Sequence, residues 1–368
     1  MSREFTFDFE GRRIPAREGQ TVGGALHAAG VRTLSWSARY RRARGLRCGT
    51  GACPGCTLVV DGIGGRRACE TPATAGAKVR RIRPRFLLLP ADELGRLVRS
   101  GFQGSRWLRS PGRWNRVEPL LARMAGQGFL PTAPSERLPA ATSFRERFVD
   151  VLVVGGGHHG CEAAVEAARA GASVLLVERT ARVGGRLLDR PGGGSDAAAL
   201  DAAVREAGVE ILCGATALGT FDEGIEGVIA GSELLAVRAT RVIRATGSLD
   251  REIALPDGDR PGVLLPTAVE RLIVREGVRP GRKAVIVTTE DGREQARTVA
   301  ALLRAAGVVL AAVVAPEDVI AIVGRTRVTG VRMAPGLVRC DLVVIAAGRR
   351  PADELDRQAD LPVAPHVP

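Results

Sequence analysis

Four cysteines near the start of the chain are spaced as the ligands of a metal cluster would be. They are Cys48, Cys53, Cys56 and Cys69, in the pattern C-x4-C-x2-C-x12-C. Three of these thiols share one glycine-rich loop, and the fourth follows an apolar stretch at Thr57–Asp61. This is the plant-type order C-x4-C-x2-C…C, in which four thiolates hold a [2Fe–2S] cluster. The loop glycines have no Cβ and tolerate positive φ, so the backbone can wrap closely around the cluster.

Zinc and a disulfide framework are the alternatives for these cysteines. C-x2-C is also a zinc half-site, but zinc sites usually pair two half-sites and Cys69 stands alone. A Rieske-type centre needs two histidines, and His27 is the only one nearby. Disulfides belong to oxidising compartments. The N-terminus MSREFTFDFEGRR is charged, which does not indicate secretion, and the sequence has no 18-residue apolar run that would indicate a membrane span. We therefore expect a cytoplasmic protein.

Short strands and one helix must position the cysteine loop. Residues 3–8 alternate apolar and polar, and a second strand follows around 13–16. VGGALHAAG then predicts a short helix that ends at Gly30, and KVRRI at 78–82 predicts a closing strand. This order predicts an α+β β-grasp, ferredoxin-like [2Fe–2S] domain over residues 1–90.

A second motif begins with an apolar strand at Val149–Val154, which runs into Gly155-x-Gly157-x-x-Gly160 and an alanine-rich helix. This strand–turn–helix order, with an acid about twenty residues further on, is typical of dinucleotide binding. The first glycine permits a tight turn, the second lets the pyrophosphate approach, and the third lets the helix pack on the strand. Unpaired N–H groups at the helix N-terminus would face the phosphates.

Further residues extend the predicted dinucleotide site. Glu178 is placed to accept hydrogen bonds from an adenosine ribose, which disfavours a 2′-phosphate, although Arg179 beside it weakens that point. The remaining candidates are Gly184, Gly185, Thr246 and Gly247. His158 and His159 lie inside the glycine loop, where they could donate to a pyrophosphate or be tolerated solvent-facing substitutions; we favour the second interpretation.

The rest of the chain predicts an α/β two-dinucleotide (FAD/NAD(P)-binding, Rossmann-like) domain at 148–368. A degenerate Rossmann unit is inserted at about 252–338. Its turn, TTEDG, lacks the glycine pattern and places two acids where a pyrophosphate would lie. We therefore interpret this second unit as structural. Residues 91–147 predict a helical linker and a proline-rich tether. No catalytic constellation stands out, so no catalytic residue is predicted on this chain.

The net charge of +13 comes almost wholly from arginine. Nucleic-acid binding would be the first inference from such a charge. However, the arginines are scattered, aromatic residues make up only 4%, and no nucleic-acid-binding motif is present. We therefore predict no nucleic-acid partner, and a basic face for an acidic protein partner remains open.

Taken together and in order, the motifs resemble the α-subunit group of heteromeric flavin-dependent amine and amino-acid dehydrogenases. That group includes the N-terminal half of the sarcosine oxidase α subunit and small subunits of hydrogen cyanide synthase and of opine, proline and hydroxyproline dehydrogenases. The segments that carry the resemblance are SARYRRARGLRCGTGACPGC, RACETP, GRWNRVEPLLARMAGQG, VLVVGGGHHG, ERTARVGGRL, RATGSLDR, DRPGV and AAGRRP.

The resemblance implies a subunit that relays electrons from a flavin-bearing catalytic β subunit to an external acceptor. By position, the four cysteines match the cluster ligands, and the glycine-loop residues with Glu178, Gly184 and Gly185 match the dinucleotide site. FAD is the implied dinucleotide, with NAD or another adenine nucleotide as alternatives, because a Gly-Asp segment that commonly touches the flavin is missing. Two other functions stay open: an autonomous NAD(P)H-dependent reductase and a non-catalytic scaffold.

Overall fold

The computed structural model describes residues 3–37, 42–82, 143–334 and 336–359. Within it the chain forms two compact units. The first comprises Met1–Glu136 and Glu252–Ala347, and the second comprises Arg137–Arg251 and Gly348–Pro368. The predicted linker and tether lie outside the described residues up to position 142. The domain boundaries drawn from the sequence stay a prediction.

The strands of both units are numbered in chain order. The first seven are β1 (Glu4–Phe9), β2 (Arg12–Arg17), β3 (Ser35–Trp36), β4 (Ala43–Arg44), β5 (Thr57–Val60), β6 (Ile63–Arg67) and β7 (Lys78–Arg81). The next seven are β8 (Ser143–Val154), β9 (Val174–Glu178), β10 (Glu210–Cys213), β11 (Ala215–Thr220), β12 (Glu226–Ala230), β13 (Glu233–Arg244) and β14 (Ser248–Asp250). The last eight are β15 (Val263–Leu264), β16 (Lys283–Thr288), β17 (Val309–Val314), β18 (Val319–Val323), β19 (Gly330–Met333), β20 (Gly336–Arg339), β21 (Leu342–Ala346) and β22 (Arg349–Pro351).

Six α-helices are found in the described residues. They are α1 (Val22–Ala28), α2 (His158–Arg169), α3 (Gly193–Glu206), α4 (Pro266–Val274), α5 (Arg293–Ala305) and α6 (Glu354–Gln358). None of them is long and apolar enough to cross a membrane.

The N-terminal part of the first unit is a β-grasp sheet with the order β2-β1-β7-β5-β6. β1 pairs antiparallel with β2 and parallel with β7, so Phe7 lies opposite Ile14 and both are buried. Thr21 caps α1, because its hydroxyl accepts a hydrogen bond from the Gly24 N–H at 3.0 Å. The apolar side of α1, including Leu26, covers the sheet. The predicted ferredoxin-like fold is thus observed.

The C-terminal part of the first unit is a parallel sheet with the order β15-β21-β16-β17, next to an antiparallel sheet β18-β19-β20. Helices α4 and α5 pack on the parallel sheet. One hydrophobic core runs through both parts of the unit, since Phe7 and Leu26 belong to the same buried cluster as Leu272 and Ile286. The degenerate Rossmann segment therefore packs with the cysteine-bearing domain.

The second unit is built on a six-stranded sheet with the order β10-β9-β8-β13-β12-β11. The first four strands are parallel, and β12 and β11 complete the sheet as antiparallel strands. Successive residues of β8 point to opposite faces, so Val153 packs in one buried cluster with Leu176 and Leu152 packs in another with Leu175. Burial on both faces explains the unbroken apolar run that the sequence has here.

Candidate cluster loop and dinucleotide site

The structure brings the four predicted cluster ligands together. Cys48, Cys56 and Cys69 are buried and Cys53 is partly exposed. Each of these thiols influences the ionisation of a neighbour: Cys48 interacts with Cys53 and Cys69, and Cys56 interacts with Cys69. The thiols of Cys53 and Cys69 lower the pKa of Cys48, while its burial raises it.

A donor set of four thiols fits an iron–sulfur cluster, which is held by cysteine thiolates. The described residues contain no group of three thiol, imidazole or carboxylate side chains around a single-ion position. The Thr50 N–H also lies 3.5 Å from the Cys48 sulfur, as a backbone donor to a cluster ligand would.

Gly49 shows why the cysteine loop needs a glycine beside its first ligand. Its φ is +70°, and a Cβ at this position would lie 2.7 Å from the Cα of Ala268 on α4. The loop therefore packs directly against the start of α4. We expected the glycines to serve the cluster; this glycine also permits the close approach of a helix that is distant in sequence.

Polar contacts hold the cysteine loop against α4. The Leu265 N–H donates to the Arg47 carbonyl at 2.8 Å, and Nη1 of Arg271 donates to the Gly49 carbonyl at 2.7 Å. The Arg47 side chain donates to the Gly258 carbonyl and pairs with Glu252 at 3.1 Å. The contact of Arg271 was not predictable from motifs, because nothing in the local sequence connects this residue to the cysteines.

The residues predicted for the dinucleotide lie at the carboxyl ends of three adjacent parallel strands, β9, β8 and β13. This edge of an open α/β sheet is where such ligands bind. Gly155 has φ +111°, and a Cβ on it would lie 2.2 Å from the Ala245 carbonyl oxygen. A Cβ on Gly160 would lie 1.9 Å from the Gly155 oxygen. Both positions therefore require glycine for backbone contact within the protein.

Gly157 is the position at which the pyrophosphate is predicted to approach. Its surroundings differ from those of Gly155 and Gly160. No atom lies within 4 Å of where its Cβ would be. It is the N-cap of α2, and no side chain caps the helix there. The helix N-terminus therefore offers backbone N–H groups to open space, which fits the phosphates of a dinucleotide.

Glu178 is buried at the end of β9, and both of its oxygens hold the glycine loop. Oε2 accepts from the Gly156 N–H at 2.7 Å, and Oε1 accepts from the N–H and hydroxyl of Thr180, each at 2.7 Å. This loop-fixing role was not predicted from the sequence. Ribose binding by Glu178 stays a prediction, as does any role for the exposed Arg179.

The four remaining candidates also lie around the glycine loop. The Gly184 N–H donates to the Gly156 carbonyl at 2.7 Å, and a Cβ on Gly185 would lie 2.9 Å from the Cα of Gly157. Thr246 and Gly247 follow β13; the Thr246 hydroxyl donates to the Ala352 carbonyl at 2.6 Å. The structure thus brings every residue predicted for the dinucleotide to one edge of the sheet.

The structure also describes the histidines and the further cysteines that the sequence singled out. His158 and His159 are exposed, and Nε2 of His158 lies 3.2 Å from Glu162. Cys161 and Cys340 are buried, and burial raises their pKa values to about 12 and about 11. The structure contains free cysteines only.

The turn of the degenerate Rossmann unit keeps one feature of a dinucleotide loop. A Cβ on Gly292 would lie 1.9 Å from the Ala346 carbonyl oxygen, so the strand–helix contact still requires glycine. Glu290 pairs with Arg293 at 3.1 Å on the exposed side of this turn.

Two segments of the chain match known families. Residues 2–84 match the 2Fe-2S iron-sulfur cluster binding domain, and residues 150–193 match the FAD dependent oxidoreductase family. The sarcosine oxidase α subunit of Rhizobium meliloti is 32% identical over 84% of this chain and 34% of its own length. The corresponding subunit of Corynebacterium sp. strain P-1 is 38% identical over 52% of this chain and 22% of its own length. A hydrogen cyanide synthase subunit of Pseudomonas aeruginosa is 35% identical over 23% of this chain and 79% of its own length.

Among solved structures, L-proline dehydrogenase from P. horikoshii has a TM-score of 0.72 at 23% identity, over 98% of this chain and 63% of that one. This likeness confirms the predicted fold class. The domains define an oxidoreductase with a [2Fe–2S] domain fused to an FAD-type Rossmann fold. The chain is similar to sarcosine oxidase α subunits, as the motifs predicted, and spans about a third of the length of the first of these relatives.

Proposed function

We propose that this chain is the electron-relay subunit of a heteromeric enzyme that oxidises a C–N bond of a small amine or amino acid. In this proposal a partner subunit carries the catalytic flavin and an external acceptor takes the electrons. The observation that carries the proposal is the presence, on one chain, of a four-thiol loop and a dinucleotide-binding sheet edge. Related sequences named as sarcosine oxidase and hydrogen cyanide synthase subunits support this class of substrate.

A [2Fe–2S] cluster carries one electron at a time and a flavin carries two, so together they can connect a two-electron oxidation to a one-electron acceptor. The contribution of this chain is to hold these groups and to tune them. Cys48, Cys53, Cys56 and Cys69 would hold the cluster, and the Thr50 N–H would stabilise the ligand sulfur of Cys48. The N-terminus of α2, at Gly157, would hold the pyrophosphate of FAD.

Seven cysteines, four of them cluster ligands in this proposal, fit a reducing compartment better than an oxidising one. We therefore place the complex in the cytoplasm as part of the same proposal. The substrates to test first are sarcosine, L-proline, L-hydroxyproline, an opine and glycine.

The test is a Cys53→Ser variant, co-purified with its partner through a tag on this chain, and assayed for amine-dependent reduction of an artificial one-electron acceptor. Cys213→Ser serves as the matched control because Cys213 belongs to the second unit and is distant in sequence from the cluster loop. We expect Cys53→Ser to lose the EPR signal of the cluster and most acceptor reduction. Anaerobic bleaching of the partner's flavin by substrate should persist.

Two outcomes would contradict the relay. Full acceptor reduction with no EPR signal would favour a scaffold, whose dinucleotide only stabilises the assembly. NADH oxidation by the purified chain alone would favour an autonomous reductase. The exposed acids of the second Rossmann turn argue against the latter, because Glu290 and Asp291 would repel a pyrophosphate there.

A further inference from the structure

A basic cavity of about 1150 Å³ lies within the first unit, away from the cysteine loop in sequence. Its walls come from β1, β2, α1 and three segments of the Rossmann part, at 277–283, 327–329 and 339–341. Seven of the lining side chains are arginine or lysine, and only Glu4 and Asp341 are acidic. Neither the cluster loop nor the glycine loop accounts for this concentration of charge.

The carboxylate of Asp341 is engaged with backbone N–H groups of the cavity wall. The Asp341 carboxylate accepts hydrogen bonds from the backbone N–H groups of Arg282, at 2.9 Å, and Lys283, at 2.8 Å. Within the described ranges, the side chains of Arg279, Arg327 and Arg339 form no ion pair. Their charge is available to a ligand.

Arg32 and Arg327 line the same cavity, and their like charges repel each other. Burial is the main reason that the pKa of Arg32 is lowered; Arg327 lowers it further, and Asp341 raises it. The Arg32 side chain is held in place by donation to the His27 carbonyl. His27 is itself buried against the Pro280 carbonyl at 2.8 Å, and its pKa is lowered to about 3, so it stays neutral. An anion between the two guanidinium groups would relieve the repulsion.

The cavity also has apolar lining, at Phe5, Pro15, Val278 and Val328. Guanidinium groups bind phosphate oxygens in a bidentate manner, and an apolar wall suits a nucleobase or another ring. The volume is that of a site for a whole organic molecule rather than for a single oxyanion. We propose that this cavity binds a nucleoside polyphosphate, with its phosphates between Arg32, Arg327 and Arg339.

The site is separate from the glycine loop, because all its residues belong to the first unit. ATP is the probe, titrated calorimetrically into the full chain already saturated with FAD. The test variant is Arg327→Ala with Arg339→Ala, since both side chains are exposed and lack ion pairs among the described residues. Arg304→Ala, at an exposed position of α5 outside the cavity, is the control.

We expect ATP to bind at one site, at least about tenfold more weakly to the double variant and unchanged to Arg304→Ala. Adenosine should not bind measurably, and the ATP affinity should fall with added salt. Equal affinity in all three proteins, or displacement of ATP by further FAD, would overturn the proposal. So would saturable binding of poly-L-glutamate without any binding of ATP, which would indicate an acidic protein partner instead.

Discussion

The carboxylate of Glu276 accepts two hydrogen bonds from Thr21, the residue that caps α1. The Thr21 N–H lies 3.2 Å from one oxygen and the Thr21 hydroxyl lies 2.9 Å from the other. Gly24 leaves the space for this, because a Cβ there would lie 1.4 Å from Oε2 of Glu276. A single buried acid of the Rossmann part thus fixes the helix of the cluster domain.

Replacement of Glu276 by alanine should destabilise the first unit. The partly buried N–H and hydroxyl of Thr21 would lose their acceptor, which costs at most about 1–3 kcal/mol. Urea denaturation of the full chain measures the loss, with Glu18→Ala as the control because Glu18 is exposed in the same domain. Equal free energies of unfolding for the two variants would mean that the contact contributes nothing.

The same residue predicts a pH dependence. Burial raises the pKa of Glu276 above its usual 4.5, although the hydrogen bonds from Thr21 lower it in part. Because the folded chain holds this proton more tightly than the unfolded chain, the stabilisation is fully present below the unfolded pKa. It is lost as the pH rises through the folded pKa.

We therefore expect the stability of the wild-type chain to fall relative to Glu276→Gln as the pH is raised from about 4 to about 7. Urea midpoints at several pH values give this difference directly. A difference that is constant with pH would show that the pKa of Glu276 is the same in both states.

Gly49 should be intolerant of a side chain. Alanine there would contact Ala268 and would adopt φ +70°, a conformation that costs about 1–2 kcal/mol per residue without glycine. We expect Gly49→Ala to lower the melting temperature and the iron content of the purified chain. Gly64→Ala is the control, because no atom lies within 4 Å of its Cβ position and no positive φ is involved. A normal iron content in Gly49→Ala would contradict a role for this packing in cluster retention.

The features that were predictable from the sequence depend on short-range spacing. The cysteines and the glycine loop each lie within one short segment, so residue type and spacing alone indicated their chemistry. The bond between Thr21 and Glu276 joins residues 255 positions apart, and no local pattern encodes it. Arg271 and Gly292 were missed for the same reason, since their roles depend on tertiary neighbours. The packing of the Rossmann insert with the cluster domain likewise follows from a shared core rather than from chain order.

Gly160→Ala should weaken FAD retention. The added Cβ would lie 1.9 Å from the Gly155 oxygen, so α2 would shift and its N-terminus would no longer face the phosphates. We expect the flavin absorbance per chain to fall several-fold while the iron content is unchanged. Gly194→Ala provides the comparison, because its Cβ would meet no atom within 4 Å. Normal flavin content in Gly160→Ala would place FAD elsewhere.

Arg244 and Glu226 form a buried ion pair at the end of β13, with side chains only 8% and 2% exposed. The Thr220 hydroxyl donates to Glu226 at 2.7 Å and accepts from Arg244 at 2.7 Å, so the three groups form one network. Loss of the Glu226 charge leaves Arg244 with the more distant carboxylate of Asp356, at 3.8 Å, so the cost of a broken buried pair, about 3–5 kcal/mol, is an upper bound. We expect Glu226→Gln to destabilise the second unit strongly and Glu233→Gln, at a partly exposed pair, to have little effect. Ala245 follows Arg244 directly and contacts Gly155, so the Glu226→Gln variant should also lose flavin. Stable folding of this variant with full flavin content would show that the ion pair does not position the glycine loop.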